Sequence, residues 1–463
     1  MKNIKMTFLK TKKKKIIFII ILFLLSGGIY LSIIISDLVR YGYDRQSKII
    51  ETVKKVIPRH YVKKIKDNIF VISNLKAKND TLELQLRKYE QGYEGQKFDN
   101  KRIKLNDQEY DVNFFFLPFK RLDTNLGWKA ESNSLRAHYL EIYSGKLFAI
   151  SGSGKIVYCD KKNLITDNLD FKNLPNNINE ILKEDNSTLI GIRDLFISDN
   201  KVFISMMVKN ENGVTINLYY ADLNLKKINF EIFFETNEYW EKYNVFSGGR
   251  IEKFKNEKIL FSIGFSRNYE SPQNKDTLLG KIISIDLNTK NHELISYGHR
   301  NPQGLYYHSN EKVVINTEHG PKGGDEINFN FLNLEQDKNF GWPKASYGQA
   351  YKGEEDLFEK DTFKKSHREL GFIEPLKYYD PSIGISEIIY LEKNSFCTSK
   401  CLWTSSLRAH SIYNLNISED FTKLSSNGRI FLKGNRIRDI EYDKDLDLVI
   451  LLSENIPAII TIR

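Results

Sequence analysis

The residues best equipped for chemistry lie in the second half of the chain, in three linked glycine-rich runs. Residues 298–305 read GHRNPQGL, 318–328 read EHGPKGGDEIN and 339–343 read NFGWP. Two further clusters follow, Ser406-Leu407-Arg408 and Asn435-Arg436-Ile437-Arg438-Asp439. A guanidinium stays charged throughout the physiological range, and its planar fork bonds a carboxylate through two parallel hydrogen bonds. Arg300, Arg408, Arg436 and Arg438 are therefore candidates for holding carboxylate groups, the plain alternative being solvated loop charges or inter-blade salt bridges. Asp325 and Glu326 have the chemistry of hard-cation ligands, but their place inside the glycine-rich loop assigns them to knitting that loop to its neighbours. His299 and His319 either fix loops by hydrogen bonding or take part in chemistry.

Residues more than a hundred positions apart can face one ligand only if the chain keeps returning to a common axis. From about residue 105 the sequence supplies such returns. Short runs rich in Ile, Val, Leu and Phe, among them KLFAIS, KVFISMMV, KILFSIGF, KIISIDL, KVVINTE and DLVILLSE, alternate with Asn, Asp, Gly and Lys turns. Pairs of these runs recur roughly every 50 to 60 residues, which divides the body into about six units. The pattern predicts an all-β, six-bladed β-propeller over 105–463, closed where the last run, 458–463, pairs with an early strand. Two β-sandwich domains would need a linker, and none is visible.

Ahead of the body, residues 16–35 read IIFIIILFLLSGGIYLSIII without a charge. About twenty apolar residues at ~1.5 Å each match the ~30 Å hydrocarbon core of a bilayer, so this segment predicts a transmembrane signal anchor. Seven lysines precede it in a basic tail, 1–15, and fix that tail on the cytoplasmic side. The expected arrangement is a single-pass protein of the inner (cytoplasmic) membrane with its body periplasmic or extracellular. Residues 36–92, interrupted by Pro58, predict a helical stalk. The formal net charge of +10 belongs to these leading segments, because residues 1–92 hold 20 Lys and Arg against 7 Asp and Glu. The body is close to neutral, which excludes a nucleic-acid partner. Three cysteines are too few for a disulfide scaffold. Cys397 and Cys401 form either one disulfide or two buried thiols.

The order and spacing of the glycine-rich runs resemble the glucose/sorbosone dehydrogenase family, also called the soluble aldose sugar dehydrogenases. Gly248-Gly249-Arg250-Ile251 and Leu279-Gly280-Lys281-Ile282 extend the likeness upstream. The resemblance implies pyrroloquinoline quinone as cofactor, met by Arg300, Asn301, Arg408, Arg436 and Arg438. It also implies a calcium ion on the carbonyls of Gly320 and Pro321, and a small-molecule sugar as substrate. In the family a histidine just before the Gly-Gly-Arg turn takes the proton from the sugar hydroxyl. This chain carries Phe246 there, with Val245 where an acidic partner can stand. Phenylalanine has no site for a proton, and losing a general base costs about 10²–10⁴-fold in rate. Ser247 is a poor base, and Tyr243 is the remaining substitute nearby. The resemblance thus implies a membrane-anchored, outward-facing quinone-dependent sugar dehydrogenase-like protein without the family's base. The alternative is a non-catalytic propeller that binds a cofactor, a glycan or a protein partner.

Overall fold

A computed structural model of the protein describes residues 95–105, 108–119, 135–241, 246–255, 257–351 and 366–463. The expected tail 1–15, membrane span 16–35 and stalk 36–92 lie outside the described residues, as do Tyr243 and Val245. Among the described residues no helix is long and apolar enough to cross a membrane.

The body is a six-bladed propeller, as its repeat predicts. Five blades are four-stranded antiparallel sheets in simple sequence order. Their innermost strands are His138–Tyr143, Thr188–Ser198, Gly248–Lys253, Pro302–His308 and Ile385–Leu391, which begin blades 1 to 5. Blade 6 starts at Ile437–Asp443 and is composite. The last strand, Ala458–Ile462, pairs on one side with Leu448–Ser453 and on the other with Gln108–Phe116, in a register that sets Val112 opposite Ile462 and Phe116 opposite Ala458. The two ends of the body therefore share one sheet, and the ring has no open seam. An additional outer strand, Lys97–Leu105, precedes residue 105, where the apolar rhythm of the sequence starts.

The middle strands read as unbroken apolar runs because each blade is covered on both faces by its neighbours. Leu448–Ser453 is buried at every position. The clusters that result lie between blades. Tyr139, Phe148, Ile192, Met206 and Ile228 pack blade 1 on blade 2, while Val112, Trp403, Leu451 and Ile460 pack blade 5 on blade 6. Each fully buried side chain of this kind contributes about 1.5–3 kcal/mol relative to exposure. Cys397 and Cys401, both buried beside Trp403, are joined in a disulfide, which decides between the two alternatives for that pair.

On the axis one arginine touches all the other blades. Arg250 pairs with Asp194 of blade 2 at 2.7 Å, Glu387 of blade 5 at 2.9 Å and Asp439 of blade 6 at 3.1 Å. Its Nε donates to the carbonyl of Gln303 in blade 4 at 2.7 Å, and its guanidinium lies 4.8 Å from the ring of Tyr139 in blade 1. One cation cannot balance three buried carboxylates. Burial accordingly pushes Asp194 up to about 7 and Glu387 up to about 8 despite Arg250.

Candidate functional site

Within each blade the first strand runs antiparallel to the second, so residues entering the first and leaving the second share one face of the ring. Gly248 stands opposite Ile263, Pro302 opposite Glu318, Ile385 opposite Ser406 and Ile437 opposite Ser453. That topology gathers Phe246, Arg300, Asn301, Gly320, Pro321, Arg408, Arg436 and Arg438 on the same face.

Arg300 forms the floor of one side. It is buried, its backbone N–H donates to Glu318 Oε2 at 2.7 Å and its Nη1 donates to the carbonyl of His319 at 2.8 Å. Its Nε is buried without a partner. The guanidinium lies among aromatic rings, 4.4 Å from Phe246, 5.2 Å from Trp342 and 5.6 Å from Phe265. The Phe246 ring therefore covers the Arg300 guanidinium. Asn301 ties the neighbouring blades together. Its Oδ1 accepts the N–H of Gly248 at 3.2 Å and Gln303 Nε2 at 3.1 Å, and its Nδ2 lies 3.4 Å from His319 Nδ1.

Across the axis, Glu454 bridges the other pair of arginines, accepting from Arg436 Nε at 2.8 Å and Arg438 Nε at 2.7 Å. Burial opposes its charge, but the two guanidinium groups overcome this and hold its carboxyl down at about 2. Arg438 Nη1 also donates to Gln303 Oε1 at 2.7 Å, which links blade 6 to the Asn301 loop. Arg408 is exposed on the turn between the second and third strands of blade 5, Cys401–Ser406 and Ser411–Ile417, where its backbone N–H donates to the carbonyl of Ile383 at 3.0 Å.

Gly320 and Pro321 occupy a buried turn. A Cβ at 320 would lie 2.1 Å from the carbonyl oxygen of Gly324, so the packing of the loop on itself already requires glycine. Asp325 takes the structural role expected of it. It accepts the Gly320 N–H at 3.2 Å, Ser382 Oγ at 2.7 Å and the Ile385 N–H at 3.0 Å. Glu326 is buried behind this loop, where Asn328 Nδ2 donates to it at 3.3 Å and burial raises its pKa well above the carboxylate range. Among the described residues no three His, Cys, Asp or Glu side chains stand together as a metal cluster. A cation at this turn would rest on main-chain carbonyls, water and ligand oxygens.

Both motif histidines join the loop network, His299 buried and His319 half-buried. His299 lies between Ser296 Oγ at 2.8 Å and Glu318 Oε1 at 3.2 Å, and its ring stacks on Phe340. His319 is pushed down to about 4, by burial first and by Arg438 and Arg300 as well. It is neutral at pH 7, with an Nε2 that is buried and unpartnered.

Several participants escaped the sequence. Arg136 stands beside Arg436 and Glu454, and Arg193 beside Arg438, Tyr139 and Glu454. Gly249 explains how Arg193 fits, since a Cβ there would meet the Arg193 Cβ at 2.3 Å. Arg267 lies 5.4 Å from the Phe246 ring, on the side exposed to solvent. The carboxylate that closes the run LVILLSE was the available signal for Glu454, because an acid ending a buried strand needs partners.

Comparison with known proteins agrees with this geometry. The chain is 28% identical over 223 residues to the aldose sugar dehydrogenase YliI of Escherichia coli K12, a match covering 45% of this chain and 57% of that protein. The chain thus spans little more than half the length of that curated relative. The crystal structure of the soluble aldose sugar dehydrogenase of Escherichia coli in its apo-form superposes with a TM-score of 0.57 at 20% identity, over 70% of this chain and 95% of the other. The pyrroloquinoline-quinone-bound aldose sugar dehydrogenase of Streptomyces coelicolor gives a TM-score of 0.50 at 19% identity, over 71% and 93%. At such identities these structures establish the shared fold. The family model for Glucose / Sorbosone dehydrogenase matches residues 145–461, and the chain belongs to that family.

Proposed function

We propose that this chain is a membrane-anchored, outward-facing member of the family whose arginine-lined face binds pyrroloquinoline quinone and a sugar, with turnover crippled by Phe246. The observation that carries the reading is the convergence of Arg300, Arg408, Arg436 and Arg438, from three blades and the loops that join them, on one face. The residues fit a flat tricarboxylate. Arg300 Nε is buried without a partner, and among the described residues Arg436 and Arg438 share the single carboxylate of Glu454. Arg300, Asn301, Arg408, Arg436 and Arg438 would hold the cofactor, and the carbonyls of Gly320 and Pro321 a calcium ion beside it. When bound, the quinone supplies a two-electron acceptor. The protein's own share is to hold the ligand, to keep the Arg300 side dry and to receive the hydroxyl proton.

That last task lacks a competent group. Phe246 has no proton site, and His319, at about 4, is a weak base near neutrality. These two observations favour the second reading, a propeller that binds its ligands without turning them over. The buried Cys397–Cys401 disulfide supports an oxidising, outward location for the body. The deciding experiment is dye-linked aldose oxidation by the full-length protein and by Phe246→His, each with quinone and calcium. Turnover at least a hundred-fold higher in Phe246→His supports the reading. Equal, substantial turnover in both refutes it.

A further inference from the structure

Blade 6 carries one strand more than the other blades, and the extra strand leaves a cleft. Its sheet runs outward from Leu448–Ser453 through Ala458–Ile462 and Gln108–Phe116 to Lys97–Leu105, whereas blade 1 beside it ends in the three-residue strand Lys172–Leu174. The shorter neighbour does not cover the longer sheet. A cavity of about 490 Å³ remains between the outer strands of blade 6 and the 3₁₀ turn Lys161–Ile165 that follows the third strand of blade 1. That volume lies within the roughly 300–1,000 Å³ of small-ligand clefts. The cleft is distinct from the arginine face: Leu448, in its lining, stands opposite Asp443 at the end of blade 6 remote from Ile437 and Ser453.

Two cross-strand rows form its polar wall. In one, Asn100 stands opposite Asn113, and Asn113 opposite Thr461. In the other, Arg102 stands opposite Asp111, which exchanges both backbone hydrogen bonds with Arg463 at 2.9 and 3.0 Å. Residues two apart on a strand share a face, so both rows look into the cleft. The other face of these strands is apolar, since Tyr110, Val112, Phe114, Ile460 and Ile462 pack into the core between blades 5 and 6. Thr461 is the polar exception in the closing strand AIITI; it is fully buried, and its hydroxyl has no hydrogen-bond partner among the described residues. Across the cleft Ile165 leaves 49% of its surface exposed, an apolar wall facing the polar one.

Three of the four cations in the lining are already matched. Arg102 Nε pairs with Asp111 Oδ1 at 3.1 Å, Lys97 with Asp167 at 2.8 Å and Lys101 with Asp99 at 3.0 Å. A bound acid would compete with these carboxylates, so the lining favours a neutral ligand. Amides and an Arg–Asp pair present donors and acceptors side by side, which hydroxyl groups satisfy because each both donates and accepts. The C–H face of a sugar ring suits the wall at Ile165. We propose that this cleft between blades 6 and 1 is a saccharide site for a neutral sugar of one or two rings, with Asn100, Asn113 and the Arg102–Asp111 pair reading its hydroxyls. It is separate from the axial site and does not rest on the quinone reading.

The test is calorimetric titration of the full-length protein with glucose, maltose and glucose 6-phosphate. It is repeated on two cleft variants, Asn100→Ala/Arg102→Ala and Ile165→Lys, and on Arg438→Gln. Asn100, Arg102 and Ile165 are exposed, and cooperative melting checks that each variant folds. Glucose or maltose should bind, at least ten-fold more weakly in the cleft variants, because a neutral and a charge-assisted hydrogen bond together are worth about ten-fold or more in affinity. Arg438→Gln should leave that binding unchanged. Binding of neither neutral sugar, binding that survives in the cleft variants or is lost in Arg438→Gln, or tighter cleft-dependent binding of glucose 6-phosphate overturns the proposal. Quinone titrated into the same samples keeps the two readings apart: a sugar that depends on the cleft in a protein that takes no quinone fails the quinone reading alone.

Discussion

Replacing Arg250 by methionine probes the axis on which the binding face is built. The substitution keeps much of the side-chain volume and removes the cation that Asp194, Glu387 and Asp439 share. Breaking a buried pair from one side costs about 3–5 kcal/mol, because the partner is left as an uncompensated buried charge. The pH dependence gives the argument a second handle. Burial raises Asp194 to about 7 and Glu387 to about 8, above their unfolded values near 4. For carboxyls raised in this way, the stability they contribute is fully present below about pH 4 and is lost as pH climbs through 7 and 8. Without Arg250 those pKa values rise further, so the loss on ionisation grows. The deficit of Arg250→Met should therefore be smaller at pH 6 than at pH 8.5. Equilibrium urea unfolding of both proteins at the two pH values measures it. A deficit under about 1 kcal/mol, or one that does not widen with pH, would refute the idea that this cluster is a shared-charge hub.

Other consequences follow from the same geometry. Glu454 is held down at about 2 by Arg438 and Arg436, so its stabilisation is present above about pH 4 and lost as pH falls toward 2; Glu454→Gln should flatten the stability profile across that window in acid unfolding. Trp403, fully buried between blades 5 and 6, should cost about 3–5 kcal/mol as Trp403→Ala, read as a lower urea midpoint. Deleting residues 458–463 removes the strand that joins Gln108–Phe116 to Leu448–Ser453 and opens the ring. The expected result is loss of the cooperative thermal transition in calorimetry.

The propeller was legible because its signal is local and repeated. Apolar runs such as KLFAIS and DLVILLSE mark middle strands buried on both faces, and the C-terminal run announces closure. Arg300 stood out for another reason: it sits in the glycine-rich run GHRNPQGL. Lys97–Leu105 gave no such signal, since an outer strand reading KFDNKRIKL keeps charge on its exposed edge. The rhythm also breaks in blade 4, where a long excursion separates Asp325–Phe331 from its partner Lys377–Tyr379. Arg250 and Arg193 show the deeper limit. Their roles depend on side chains from other blades, dozens to hundreds of residues distant. Phe246 was read as a missing base, and its cover over Arg300 emerges only when the blade 3 and blade 4 loops are brought together.

The central claim is that the arginine face takes a polycarboxylate quinone. Its most direct test is titration of pyrroloquinoline quinone into the full-length protein, with and without calcium, following the cofactor's absorbance and the protein's melting temperature, with Arg438→Gln alongside. Saturable one-site binding is expected, raising the melting temperature and weakening at least ten-fold in Arg438→Gln. Absence of binding by a sample that still melts cooperatively would contradict it.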